Sequence, residues 1–270
     1  TVYSGVMNAD EVARAIESAP QKPFAFYITS PNYLGELWDI RAVAAVCESY
    51  GVALLVDNAH GAYTAFSRPV CHPMALGATM CADSAHKTLP ALTGTAYLHI
   101  AKDAPKAFFE GARQALAMFA SSSPSYLLLQ SLDLCNAYLA KDYRTALADH
   151  VHRLNLLKHR LSDIGFSTEP SEPLKLVFSR RSCGYGGAEL AGHLRKNMIE
   201  PEFFDRDLLV LMSTPQNSES DFERLIKAFE ELTPTDSRTQ SNAPTYDSLV
   251  QKFSLRDAIF SASETIDVTN

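Results

Sequence analysis

Long hydrophobic runs are missing from this chain. No stretch approaches the ~18 consecutive apolar residues of a membrane-spanning helix. No charged start followed by an apolar core marks a secretion signal. Excess positive charge is also missing: 24 Lys and Arg stand against 31 Asp and Glu, for a net charge of −7. Nothing in that balance favours a nucleic acid or an anionic membrane surface as a partner. Cysteine is sparse and scattered, at 47, 71, 81, 135 and 183, with no CxxC pair and no metal spacing. The expectation is reduced thiols, a cytoplasmic location and no bound metal. Internal repeats and low-complexity segments are absent as well.

What is present is ordinary for a globular protein, with 46% hydrophobic and 20% charged residues. A chain of 270 residues makes one large domain or two small ones. Its most informative stretch runs from Val52 to Lys87. The apolar run Val52-Ala53-Leu54-Leu55-Val56 has no polar alternation, which predicts a strand buried on both faces of a parallel sheet. Asp57 follows at once, where open α/β sheets bind ligands beyond their strand ends. A second short apolar segment, 79–83, delivers Ser84-Ala85-His86-Lys87. A lysine amine can form a Schiff base with an aldehyde cofactor, and a carboxylate can pair with a pyridinium nitrogen. Taken alone, Asp57 also reads as a cap and Lys87 as a solvated surface charge.

Helix and strand patterns alternate around this stretch. Helices are predicted over Asp10–Ser18 and Asp39–Tyr50, and strands over Phe24–Ile28, Thr79–Asp83 and Ala96–Ile100. That alternation signals a parallel α/β sheet. Lys102–Met118 and Tyr126–Leu161 read as helices, the second broken once. From Gly165 the pattern shifts to a strand at Leu174–Phe178, a Gly-rich loop at Arg180–Gly187, a helix at Ala188–Asn197, a strand at Leu208–Met212 and a helix at Ser220–Leu232. Gly184-Tyr185-Gly186-Gly187 matches no phosphate-binding fingerprint and reads as a turn. Thr233–Pro244 reads as an exposed linker.

Three segments carry a family resemblance: Thr29-Ser30-Pro31-Asn32-Tyr33-Leu34-Gly35, Asp57-Asn58-Ala59-His60-Gly61-Ala62, and Ser84-Ala85-His86-Lys87-Thr88-Leu89-Pro90-Ala91-Leu92-Thr93. In order and spacing they resemble the Orn/Lys/Arg decarboxylase family of fold-type-I, aspartate-aminotransferase-like enzymes dependent on pyridoxal 5'-phosphate (PLP). The third segment is the most specific. The resemblance implies a parallel-rich three-layer α/β/α sheet in a large PLP-binding domain, followed by a small α+β domain. The expected boundaries are 1–150 for the large domain, 151–232 for the small one, and 233–270 for a linker and the start of a further segment. The family's phosphate-holding loop and ring-stacking aromatic are not found here, so the chain reads as an internal part of a longer enzyme that is inactive by itself.

The same resemblance implies roles for individual residues. Lys87 would hold PLP covalently, and Asp57 would pair with its pyridine nitrogen. Ser84 and His86 would contact the phosphate, His86 through the one N–H of a neutral imidazole. Ala59 would pack against the ring face. His60 would lie near the ring or simply hydrogen-bond its own loop. The implied reaction is decarboxylation of lysine, ornithine or arginine to cadaverine, putrescine or agmatine, in a homodimer or higher homo-oligomer acting on a small amino acid. The alternatives are another fold-type-I activity, an aminotransferase or an α-oxoamine synthase, and a truncated chain that keeps the PLP fold without activity. Asn58, Tyr63, Asn32, Leu34 and Gly94 stand where the family usually has Glu, His, Thr, Tyr and Gln, which leaves the substrate open.

Overall fold

A computed structural model describes residues 6–121, 123–234 and 252–264. Most of the predicted linker at Thr233–Pro244 lies outside the described residues. Two units are distinguished, 1–239 and 240–270. In the second, a short helix (α10, Leu255–Phe260) follows the helices numbered below and is capped by Ser254, whose Oγ accepts from Asp257 N.

The first unit begins with α1 (Ala9–Glu17), started by a reciprocal capping box between Asn8 and Glu11. Strand β1 (Ala25–Thr29) leads through α2 (Ile40–Ser49) to β2 (Ala53–Asp57). Asp39 caps α2 by accepting from Ala42 N at 3.1 Å. Strand β3 (Met80–Ser84) runs straight into a one-turn helix, α3 (Ala85–Thr88), and β4 (Ala96–Ile100) follows. The four strands lie in the order β1-β2-β3-β4, with the first three parallel and β4 antiparallel to β3. The reversal at β4 is a matter of reach. Only residues 89–95 separate it from α3, whereas a parallel return needs a crossover of about a dozen residues or more.

Val12 and Ile16 of α1 and Ile40, Val43 and Cys47 of α2 pack on Ile28, Leu54, Val56 and Cys81. This closes one face of the sheet. The other face is less covered: Tyr27 and Leu98 stay exposed, and along β2 fully buried residues alternate with half-buried ones. The expectation of a strand buried on both faces therefore holds only for the face toward α1 and α2.

Helices α4 (Lys106–Phe119), α5 (Tyr126–Lys141) and α6 (Tyr143–Asp163) follow, with the expected single break at Asp142. The predicted domain boundary at 150 falls inside α6, which serves two cores. Its Tyr143 and Leu147 pack with Tyr63, Leu89 and Leu174, and its Leu154, Leu157 and Leu161 pack with the second sheet. That sheet is antiparallel, β5-β7-β6 (Lys175–Ser179, Leu208–Met212, Phe203–Phe204). Helices α7 (Arg180–Cys183), α8 (Gly187–Lys196) and α9 (Glu219–Glu230) complete it. The segment read as a loop from Arg180 instead forms α7, because Ser179 and Ser182 cap one another. A β-carbon at Gly187 would sit 1.9 Å from Leu208 O. Its glycine lets α8 approach β7, and the Gly-rich run is structural.

Candidate active site

The candidate residues gather at the C-terminal ends of β1, β2 and β3, where Thr29, Asp57 and Ala82 stand in register across the sheet. Asp57 is the last residue of β2. Its Oδ1 accepts from Ala59 N at 3.0 Å and so bends the chain after the strand, while its Oδ2 accepts from Tyr27 Oη at 3.1 Å. That turn carries Ala59 and His60 under the sheet edge. Gly61 completes it, since a β-carbon there would lie 2.0 Å from Asn58 Oδ1.

On the neighbouring strand, Ser84 ends β3 and stands at the start of α3, where its side chain makes no capping bond. The one turn of α3 aims Lys87 back toward the turn after β2. Lys87 Nζ lies 3.1 Å from His60 Nε2. Of the expected set, these two are brought into direct contact. His60 is 3% exposed, and its basicity is pulled down to about 3, first by burial and then by the positive charges of Lys175 and Lys87. A neutral ring that accepts from Lys87 at Nε2 carries its proton on Nδ1, and Nδ1 is buried without a hydrogen-bond partner. His60 thus bonds to the lysine and not to its own loop.

His86 points elsewhere. Its Nδ1 lies 3.0 Å from Thr95 O, and a carbonyl can only accept. The single N–H of a neutral imidazole is therefore spent on the backbone, and Nε2 can donate to an anion only when the ring is doubly protonated. This corrects the simple expectation of a neutral donor toward phosphate.

Several residues that sequence reasoning did not assign complete the surroundings. Tyr33 packs edge-on against His60, with ring centroids 5.0 Å apart, and its Oη donates to Glu202 Oε1 at 2.9 Å. Lys175, on β5 and wholly buried, donates from Nζ to Tyr33 O and Asn32 O. Glu172, also wholly buried, accepts from Tyr63 Oη and Leu174 N and is pushed up by burial. A lysine inside the apolar run Leu174-Lys175-Leu176-Val177-Phe178 was the available signal for this group.

Histidines without metal spacing in sequence also meet in space. The ligand-type atoms of His72, Asp83 and His99 lie within 4.8 Å of one another. They are already engaged with each other. Asp83 Oδ2 accepts from His72 Nε2 at 2.9 Å and His99 Nε2 at 3.0 Å, and its Oδ1 accepts from Asn58 Nδ2 at 2.7 Å. His72 Nδ1 accepts from Met74 N, which leaves the ring proton on Nε2, facing the carboxylate. The cluster is a hydrogen-bonded anion brace beneath Ser84. Burial pushes the Asp83 carboxyl up, but the bonds from His72, His99 and Asn58 outweigh burial and hold it well below the usual carboxylate range.

Comparison with known proteins supplies the context for this geometry. The family model described as "Orn/Lys/Arg decarboxylase, major domain" matches residues 1–176. An arginine decarboxylase of Bacillus subtilis (strain 168) is 28% identical over 276 residues, covering 95% of this chain and 56% of that protein. The protein YaaO of the same organism, described as uncharacterized, is 30% identical over 211 residues, covering 74% and 43%. Among solved structures, the constitutive lysine decarboxylase of E. coli superposes with a TM-score of 0.63 at 18% identity, over 82% of this chain and 38% of that one. A serine palmitoyltransferase of Sphingomonas wittichii gives 0.65 at 16% identity, over 83% and 58%. The chain spans about half the length of the curated relatives it matches.

Proposed function

The chain belongs to the Orn/Lys/Arg decarboxylase family, major domain, and on that premise we propose that it forms the cofactor-holding part of a PLP-dependent decarboxylase of lysine, ornithine or arginine. The observation that carries the proposal is the pairing of Lys87 with a buried, neutral His60 beside the strand-end carboxylate of Asp57.

The residues present fit PLP. An aldehyde needs an amine, and Lys87 Nζ supplies one. A basic ring nitrogen needs an anion, and Asp57 stands at the strand end, its Oδ2 accepting from Tyr27 Oη. The buried His60 Nδ1 has no protein partner and offers an N–H to an acceptor arriving beside it. The Ser84 hydroxyl makes no capping bond and His86 Nε2 points away from the backbone bond at Nδ1, so both remain for a phosphate. Ala59, with its single methyl, leaves room for a flat ring.

Bound there, PLP supplies an aldehyde that captures amines and a ring that accepts the electron pair left when a carboxylate departs from Cα. The chain's own groups do the rest. Lys87 would hold the cofactor through Nζ and would be the amine that the substrate amine displaces. His60 Nε2, at hydrogen-bond distance, takes or returns a proton at Lys87 Nζ. Asp57 would pair with the cofactor's ring nitrogen and favour its protonated form, which strengthens electron withdrawal. Tyr33 covers the His60 edge and limits the entry of water.

The same reading includes a cytoplasmic enzyme that works as a homodimer, with the large domain ending near 150 and a small domain from 151 to 232. Exposed apolar side chains on α4 and α5, among them Phe119, Tyr126 and Leu127, support self-association. No described helix is long and apolar enough to cross a membrane.

The test is release of labelled CO2 from carboxyl-labelled lysine, ornithine and arginine by the longer enzyme that contains this chain, supplied with PLP; the chain by itself should release none. One of the three should give CO2 and its amine in equal amounts, and K87A should abolish both. Amino transfer to a keto acid, or carbon–carbon bond formation with an acyl thioester, would place the chain with aminotransferases or α-oxoamine synthases instead.

A further inference from the structure

Lys175 is wholly buried, yet no carboxylate among the described residues lies within ion-pair distance of it. Its Nζ donates instead to two main-chain carbonyls, Tyr33 O at 3.1 Å and Asn32 O at 3.3 Å. Glu172, wholly buried three residues before it, spends Oε2 on Tyr63 Oη and Leu174 N and leaves Oε1 unpaired. A buried ammonium without a directly bonded counter-ion is costly, and a methionine of similar shape would avoid the cost. The lysine is therefore explained by what its charge and its donors reach.

They reach the turn after β1. The ammonium stands 5.7 Å from the Tyr33 ring centroid, and that ring packs edge-on against both His60 (5.0 Å) and Phe203 (5.5 Å). His60 in turn touches Lys87. The charged and titratable groups around His60 are Lys87 from α3, Lys175 from β5, Tyr33 from the turn after β1 and Asp57 from its own turn. Glu202 lies behind Tyr33 and Glu172 on the chain segment that leads into Lys175. Both lysines act on His60 as positive charges.

We propose that Lys175 is a positioning residue for the Lys87 site. Its two main-chain bonds pin the Asn32–Tyr33 turn against His60, and its buried charge keeps the His60 ring an acceptor for the Lys87 amine. The antiparallel sheet thereby sets the state of a histidine in the loops of the parallel one. The inference rests on the reading of Lys87 as the reactive amine and deepens it.

The experiment is a histidine-selective NMR titration of the cofactor-free protein, with His60 assigned by H60Q. In the unaltered protein the His60 ring takes up no proton above about pH 5. K175M raises its midpoint by about one pH unit or more, because one of two facing positive charges is gone. K175R, which keeps the charge and the donors, leaves the midpoint near its original value. A His60 ring that protonates near its ordinary value in the unaltered protein overturns the proposal, and that measurement needs no variant. An identical midpoint in K175M and the unaltered protein overturns it as well. The readout is separate from the identity of the PLP-bound lysine. A label on another lysine with a Lys175-dependent His60 counts against the proposed function alone. A label on Lys87 with an indifferent His60 counts against this inference alone.

Discussion

Asn58 Nδ2 donates to Asp83 Oδ1 at 2.7 Å, both side chains being buried. The bond ties the turn that carries Ala59 and His60 to the strand that delivers Ser84 and Lys87. It also accounts for one departure from the family pattern. A glutamate at 58 would set a second carboxylate against Asp83 in a site that excludes water. N58A should cost about 1.5–3 kcal/mol, the worth of a hydrogen bond to a charged group. N58E should cost more than about 3 kcal/mol, through like charge and burial, and D83N should recover part of that loss. Urea unfolding of the four proteins checks this. Equal stability of N58E and the unaltered protein would show that the bond does not organise the turn.

Acid stability follows from three groups with depressed basicity, Asp83, His60 and His150. Asp83 titrates lower in the folded chain than its unfolded value of about 3.9. Its contribution is complete above that value and is lost as pH falls through it. His60 titrates at about 3 when folded, against an ordinary 6.5. Its contribution is complete above 6.5 and drains away as pH falls toward 3. The cofactor-free protein should therefore lose stability between pH 7 and pH 5, through His60 and through the buried His150, whose basicity burial lowers to about 4, each on the order of 1–3 kcal/mol. H60Q should flatten that slope. An unchanged slope in H60Q would assign the acid loss to other groups.

Phosphate recognition should be coupled to a proton. His86 spends its Nδ1–H on Thr95 O, so donation from Nε2 to a phosphate needs the imidazolium. Titrating pyridoxine 5'-phosphate, which lacks the aldehyde, into the protein in buffers of different ionisation heat should reveal net proton uptake. H86N should remove that uptake and weaken binding by about tenfold or more, since a charge-assisted bond is lost. The same uptake in H86N would place the proton elsewhere.

Self-association can be read from the surface of α4 and α5. Phe119 and Tyr126 are 84% and 87% exposed, and Leu127 is 69% exposed. Sedimentation at micromolar concentration should show a dimer, and F119D together with L127D should shift it toward monomer. A monomer in the unaltered protein would remove the dimer from the proposed function.

The site was legible where chemistry and chain order coincide. Asp57 follows an apolar run and Lys87 follows another, but taken alone they read as a cap and a surface charge, and it is the resemblance of their flanking motifs that singles them out as candidates. The alternation of helix and strand points to a parallel sheet, which β1, β2 and β3 form; the antiparallel return of β4 was not legible in it. What could not be read is what tertiary packing decides. Lys175 lies 88 residues beyond Lys87 in sequence, on a different sheet, and reaches the site only because Tyr33 bridges the two. The tautomer of His86 depends on Thr95 O, which no spacing rule reveals. The meeting of His72, Asp83 and His99 depends on β3 and β4 pairing in antiparallel register, with Cys81 opposite His99. Strand β6, two residues long, is too short to leave a pattern.

Lys87 is proposed as the amine that holds PLP. Borohydride reduction of the protein with PLP, followed by peptide mapping, tests it most directly. One pyridoxyl group per chain is expected, on Lys87, and none on that peptide in K87A. A pyridoxyl group placed reproducibly on another lysine, with Lys87 unlabelled, would contradict it.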